Sequence, residues 1–266
     1  MGKKKTVRTF RKMKMDGEKI VMLTAYDALT SAMAQAAGID LLLIGDSVGP
    51  TVMGYSDTVP VTVEDMIHHG KMVRRGAPDM FLVCDMPFLS YHCGDDDAIR
   101  NAGRCLRETG SDCVKLESSR STVPLIRRMV DAGIPVMAHI GLLPQHVKTA
   151  GGYRVAGREA DAAAELKQLA LDLQDAGAFS IVLECVPAAL AEEISKMLEI
   201  PTIGIGAGAG CSGQVQVCND ILGLFDRFVP KHAKRYCNLR EIMLKAYSDY
   251  VSDVKSEKFP TQDNSF

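Results

Sequence analysis

The sequence predicts a closed (β/α)8 barrel spanning residues 1–266 as a single domain. Three observations carry that expectation. Five helix-like stretches close on glycines (Gly38, Gly76, Gly110, Gly133 and Gly177), and a short apolar strand follows each one. Strands alternating with helices specify parallel pairing with helical crossovers. The length of 266 residues suits one barrel of this type, which takes about 250.

Taken in order, the first strand is Ile20–Thr24 and its helix covers 28–37. The next five strands lie at Leu41–Ile44, 81–84, 113–116, 136–138 and 181–183, each an apolar run of strand length. A seventh follows Pro201 at Thr202–Ile205, and an eighth falls at 215–218, ending near Asp220. Helices are predicted at 63–75, Asp95–Thr109, 122–132, 160–176, 188–198 and 239–256. Residues 1–18 begin with a basic cluster, Lys3 to Lys5, and form a polar arm or a short helix under the barrel floor; a tail follows the last helix. An open doubly wound sheet is the alternative, but eight strands with this alternation fit closure better.

Composition narrows the function. Thirty-one basic against 33 acidic residues leave no electrostatic footprint for nucleic acid or an anionic membrane. The longest apolar runs are strand-sized, and no secretory apolar core follows the basic start. Eight cysteines without a C-x-x-C pair resemble neither a disulfide framework nor a zinc site. Cys84, Cys113 and Cys185 read as small buried hydrophobes in a reducing compartment, with the cytoplasm as the expected location.

Strands two to six run into Asp46, Asp85, Glu117, His139 and Glu184. Active sites of such barrels lie at the carboxyl ends of the strands, so these polar residues mark one. Residues two apart in a strand share a face, which aligns Lys115 with Glu117, Ile44 with Asp46, Val83 with Asp85, and Val182 with Glu184. Four carboxylates around one lysine leave excess buried negative charge, which must be protonated, paired or bound to a cation. Oxygen-only ligation suits Mg²⁺, or Mn²⁺ in its place. Alternatively, individual acids cap helices or pair with Arg74 or Arg75.

His139 is open to three roles: ligand, donor to substrate, or structural histidine. His68 and His69 read as helix-surface or packing residues, and His92 and His146 sit in loops. The glycine-rich run Gly204 to Gly213 contains G-x-G-x-x-G, but comes too late in the chain for a dinucleotide fingerprint. It could bind phosphate, pack closely against the barrel, or admit a flat substrate. Gly151-Gly152-Tyr153 reads as a hinged lid.

An ordered set of segments carries a family resemblance: Thr24-Ala25-Tyr26-Asp27, Gly45-Asp46-Ser47, Pro60 to Asp65, Arg74 to Pro78 and Val114-Lys115-Leu116-Glu117, followed by His139-Ile140-Gly141, Gly151 to Tyr153, Leu183 to Pro187 and Ile203 to Gly208. Over roughly residues 20–236 the chain resembles the ketopantoate hydroxymethyltransferase family. That resemblance implies hydroxymethyl transfer from 5,10-methylenetetrahydrofolate to 3-methyl-2-oxobutanoate, forming 2-dehydropantoate for pantothenate and coenzyme A, through enolate chemistry assisted by Mg²⁺. It assigns Asp46 and Asp85 to the metal with Glu117 completing its surroundings, and Asp46, Ser47, Asp85 and Lys115 to the keto acid; of the three roles open to His139, substrate contact is the one expected from its place at the end of the fifth strand. The same resemblance implies that Glu184 is the proton acceptor. It also implies a homo-oligomer, a decamer in bacterial members. The chain departs from the family's usual residues at Leu143, Ser212, Asn219 and Tyr55, expected in loops near the folate rather than the metal. The competing readings are another Mg²⁺-dependent C–C lyase or mutase of a small 2-oxo acid, which predicts extra arginines and a reactive Cys loop, and a catalytically silent binding barrel, which predicts a missing site carboxylate.

Overall fold

The computed structural model describes residues 4–152, 154–225 and 230–266. Tyr153 of the expected lid, Lys3 of the basic start and positions 226–229 of the family match lie outside them. Eight strands pair in sequence order and close on themselves: β1 (Ile20–Thr24), β2 (Leu41–Ile44), β3 (Phe81–Asp85), β4 (Cys113–Glu117), β5 (Val136–Gly141), β6 (Ser180–Glu184), β7 (Thr202–Ile205) and β8 (Gly213–Gln216). Every neighbouring pair is parallel, including β1 with β8. The helices are α1 (Val7–Met15), α2 (Ala28–Ala36), α3 (Val63–Gly76), α4 (Asp95–Thr109), α5 (Val123–Asp131), α6 (Val147–Ala150), α7 (Ala160–Asp175), α8 (Ala188–Met197), α9 (Cys218–Ile221) and α10 (Leu239–Lys255). Two compact units result: Met1–Val217, which holds the barrel, and Cys218–Phe266 with α9 and α10.

Local chemistry sets several boundaries. The Asp27 carboxylate caps α2 by accepting from the amides of Leu29 and Thr30. Thr62 and Asp65 cap α3 reciprocally, each side chain bonding the other's amide. Inside the barrel pack Met22, Leu41, Leu43, Phe81, Val83, Cys113, Met137, Val182, Ile203 and Val215. Phe10 and Met13 of α1 close the amino-terminal end, with Phe10 edge-on to Phe81 at 5.0 Å. The amino-terminal segment is therefore a helix with an apolar face on the barrel core.

β8 begins two residues earlier than the sequence pattern suggests. Gly213 pairs with Ile20, and a Cβ there would stand 2.3 Å from the Ile20 carbonyl oxygen. The glycine thus belongs to the strand because two backbones approach closely, and Asp220 lies on α9 instead of at a strand end. Ser212 immediately precedes β8, at the amino-terminal end of the barrel, and exchanges hydrogen bonds with Thr202. That departure is therefore not beside the mouth. In the glycine-rich run, Gly208 and Gly210 press on Ala188 and Glu192 of α8, leaving 2.5 and 2.6 Å for an added Cβ, so close packing accounts for them.

Candidate active site

Strands β3 to β6 deliver Asp85, Lys115, Glu117, His139 and Glu184 to the carboxyl-terminal mouth. Val83, Cys113, Met137 and Val182 face the barrel interior two residues before Asp85, Lys115, His139 and Glu184, so strand alternation aims those side chains inward. Asp46 arrives differently. In β2 it is Leu43, not Ile44, that packs inside. The strand ends at Ile44, and a turn brings Asp46 to the mouth, where its amide donates to Asp85 Oδ2 at 3.1 Å.

Asp46, Asp85, Lys115, Glu117 and His139 are all buried; Glu184 is partly exposed. Register sets Asp85 beside Lys115, and Lys115 Nζ donates to Asp85 Oδ1. Burial alone would lower the lysine pKa, but Asp85 and Asp46 outweigh it and hold the ammonium charged. Asp46 is pushed up to about 7 by burial and then by the Asp85 charge, with Lys115 and a hydrogen bond from Gln145 opposing. Burial carries Glu117 up to about 9 against the Gln145 amide, which donates to its Oε1 at 2.8 Å. Glu117 Oε2 has no hydrogen-bond partner, and the nearest cationic candidate is His146 Nε2 at 4.0 Å.

His139 pairs in register with Glu117 and holds Nε2 3.2 Å from Glu184 Oε2, within ion-pair reach but without hydrogen-bond alignment. Burial and then Lys115 lower its pKa, with Glu184 opposing, so the ring is neutral at pH 7. Gly141 lets β5 pass Glu184: its φ is +103°, and a Cβ would meet the Glu184 carbonyl oxygen at 2.2 Å. Ser47 Oγ lies 2.8 Å from the Tyr26 hydroxyl, and His69 Nδ1 lies 2.7 Å from the Tyr26 carbonyl. His69 is thus a brace beneath the mouth. Arg74 neutralises none of the site acids; it binds Asp112 and the carbonyls of Gly110 and Met80, which precede β4 and β3.

Two residues escaped the sequence reading. Gln145, buried in the loop after β5, and Tyr91, buried in the loop after β3, are hydrogen-bonded at 2.8 Å and back the carboxylates. A buried glutamine in a loop carries no charge or periodicity signal. The only signal nearby is the departure at Leu143, two residues earlier.

The donor set fits a hard cation. Among the described residues no three His, Cys, Asp or Glu side chains converge into a ready-made cage. Asp46 and Asp85, linked through the Asp46 amide, and the orphaned Glu117 Oε2 instead offer a few oxygen donors, and a bound cation would offset the burial that raises the pKa values of Asp46 and Glu117. Such a set suits Mg²⁺, which binds through one or two carboxylates while keeping several waters.

A closed parallel barrel with ionisable groups clustered at its carboxyl-terminal mouth defines a (β/α)8-barrel enzyme. The chain belongs to the ketopantoate hydroxymethyltransferase family, whose sequence profile matches residues 4–262, and it is a transferase. It is 50% identical over 265 residues to the 3-methyl-2-oxobutanoate hydroxymethyltransferase of Syntrophus aciditrophicus (strain SB), covering 100% of this chain and 97% of that protein. Its identity to the enzyme of the same name from Pseudothermotoga lettingae is 52% over 261 residues, or 98% of each chain. Among solved structures, a putative phosphonomutase from Burkholderia cenocepacia J2315 superposes with a TM-score of 0.64 at 15% identity, covering 94% of this chain and 99% of that one. That likeness concerns the fold alone. No helix among the described residues is long and apolar enough to cross a membrane.

Proposed function

We propose that this mouth transfers a hydroxymethyl group from 5,10-methylenetetrahydrofolate to 3-methyl-2-oxobutanoate, giving 2-dehydropantoate for pantothenate and coenzyme A synthesis in the cytoplasm. One observation carries the reading. The partly exposed carboxylate, Glu184, ends β6, four strands around the barrel from β2, whereas Asp46, Asp85 and Lys115 form a buried cluster. A base separated from a cluster that grips oxygens is the arrangement needed to take a proton from carbon. The names of the half-identical relatives supply the substrate.

Lys115, held charged by Asp85, pairs with the keto acid's carboxylate or with the negative charge that develops on its keto oxygen. Ser47, steadied by Tyr26, donates a second hydrogen bond to the acid. Asp46 and Asp85 are the residues that would hold Mg²⁺, with Glu117 nearby. Mg²⁺, when bound, withdraws electron density from the keto acid's oxygens, a Lewis-acid contribution of several kcal/mol. Glu184 takes the C3 proton, and C3 then bonds the donor's methylene carbon while that carbon's two bonds to folate nitrogens break. Water supplies the hydroxyl group, and tetrahydrofolate leaves with its nitrogens protonated by the C3 proton and a water proton. Neutral His139 lies beside Glu184, its Nε2 3.2 Å from Oε2.

Copies of the chain associate into a homo-oligomer, a decamer by family resemblance. Support comes from α10, which exposes Ile242, Leu244, Tyr247, Tyr250, Val251 and Val254 and buries nothing.

The test is an assay with 3-methyl-2-oxobutanoate and 5,10-methylenetetrahydrofolate, with and without EDTA. Production of 2-dehydropantoate that EDTA stops and Mg²⁺ restores is the expected result. Absence of product under Mg²⁺, or full activity after exhaustive chelation, overturns the reading.

A further inference from the structure

The Gln145 side chain has every polar atom committed. Its Nε2 donates to Asp46 Oδ2 at 2.8 Å and to the Met86 carbonyl at 3.0 Å, and its Oε1 accepts from the Tyr91 hydroxyl at 2.8 Å. A backbone carbonyl can only accept, so the amide nitrogen must face Met86, which fixes the orientation of the group. Burial also pushes the Tyr91 pKa far upward, with Glu117 and Asp46 adding to it, so the phenol remains a donor. The backbone amide of the same residue donates to Glu117 Oε1 at 2.8 Å. One loop residue therefore holds two carboxylates, one from the turn after β2 and one from β4.

We infer that Gln145 is a positioning residue: with Tyr91 behind it, its amide fixes Asp46 by Oδ2 and leaves Oδ1 for a divalent cation. The inference rests on the reading of the mouth given above. Its physical basis is that a carboxylate on a turn has freedom a strand residue lacks, and Asp46 lies beyond the end of β2. Without the amide, Asp46 would be free to rotate toward Lys115, the buried cation that already attracts it. The side chain would then spend its charge on the lysine and lose the single orientation in which Oδ1 is offered to a cation. Partners that orient a metal ligand typically govern 10–100-fold in metal affinity.

The test uses the full chain, stripped with EDTA, with Mn²⁺ as the probe and its affinity read by electron paramagnetic resonance. Gln145→Leu keeps the size and removes the donors, while the backbone bond to Glu117 survives. Mn²⁺ affinity should fall roughly 10–100-fold. Tyr91→Phe, which removes only the hydroxyl that orients the amide, should weaken Mn²⁺ in the same direction by a smaller factor. Thermal midpoints in EDTA separate positioning from general loosening, since a merely structural residue would shift the midpoint and leave Mn²⁺ affinity unchanged. Wild-type affinity in Gln145→Leu overturns this inference alone. Should that variant not fold, wild-type affinity in Tyr91→Phe overturns it. A wild-type protein that binds no Mn²⁺ overturns the proposed function and the inference together.

Discussion

Replacing Asp46 by asparagine should stabilise the metal-free protein above neutral pH while removing its capacity for a divalent cation. Burial, reinforced by the Asp85 charge, holds the Asp46 pKa near 7 instead of its ordinary 3.8. The folded state thus grips this proton more tightly than the unfolded chain does. The sign follows: the stability Asp46 contributes is present at low pH and is lost as pH rises from about 4 through about 7. Once charged, the carboxylate costs about 4 kcal/mol. Asparagine keeps the shape and an oxygen for Gln145, but is neutral at every pH. Thermal unfolding in EDTA should therefore show Asp46→Asn gaining on the wild type between pH 5 and 8. At 2–4 °C per kcal/mol, the advantage at pH 8 should be roughly 8 °C or more. A variant no more stable than wild type at pH 8 would refute this account of the buried charge.

Lys115→Met removes the cation that compensates Asp85 and leaves a buried carboxylate alone. It should lose about 3–5 kcal/mol in urea unfolding at pH 8 and bind the keto acid weakly; unchanged stability would show that the pair matters little. Gly141→Ala places a methyl group 2.2 Å from the Glu184 carbonyl oxygen at a φ of +103°. It should cost more than about 1 kcal/mol and depress turnover by moving Glu184, and wild-type kinetics would contradict that tight passage.

Much of the barrel was legible because buried parallel strands read as apolar runs and their helices end on glycine. β8 was the exception in register. Gly213 pairs where the backbones of β1 and β8 nearly touch, and a glycine there looks like a loop when tertiary contacts are unseen. The same limit explains Asp46. Counting by twos from Ile44 presumes a strand that continues, whereas a turn intervenes and Leu43 faces the interior. Asp85, Lys115 and Glu184 could be aimed from sequence because each lies within its strand. Gln145 and Tyr91 could not, since their importance is a matter of hydrogen bonds between loops distant in sequence. The pairing of Arg74 with Asp112 likewise needed the fold to reveal which end of the barrel it occupies.

The central claim is that Glu184 removes the C3 proton while Asp46, Asp85 and Lys115 grip the oxygens. Exchange of that proton into deuterated water, followed by NMR with 3-methyl-2-oxobutanoate and Mg²⁺ but no folate, isolates this step. Glu184→Gln preserves the shape at the end of β6 and removes the proton acceptor. Exchange should slow by about 10²–10⁴-fold while keto-acid binding persists. If the glutamine variant exchanges the C3 proton at the wild-type rate, Glu184 is not the base, and the role passes to His139, whose Nε2 lies 3.2 Å away.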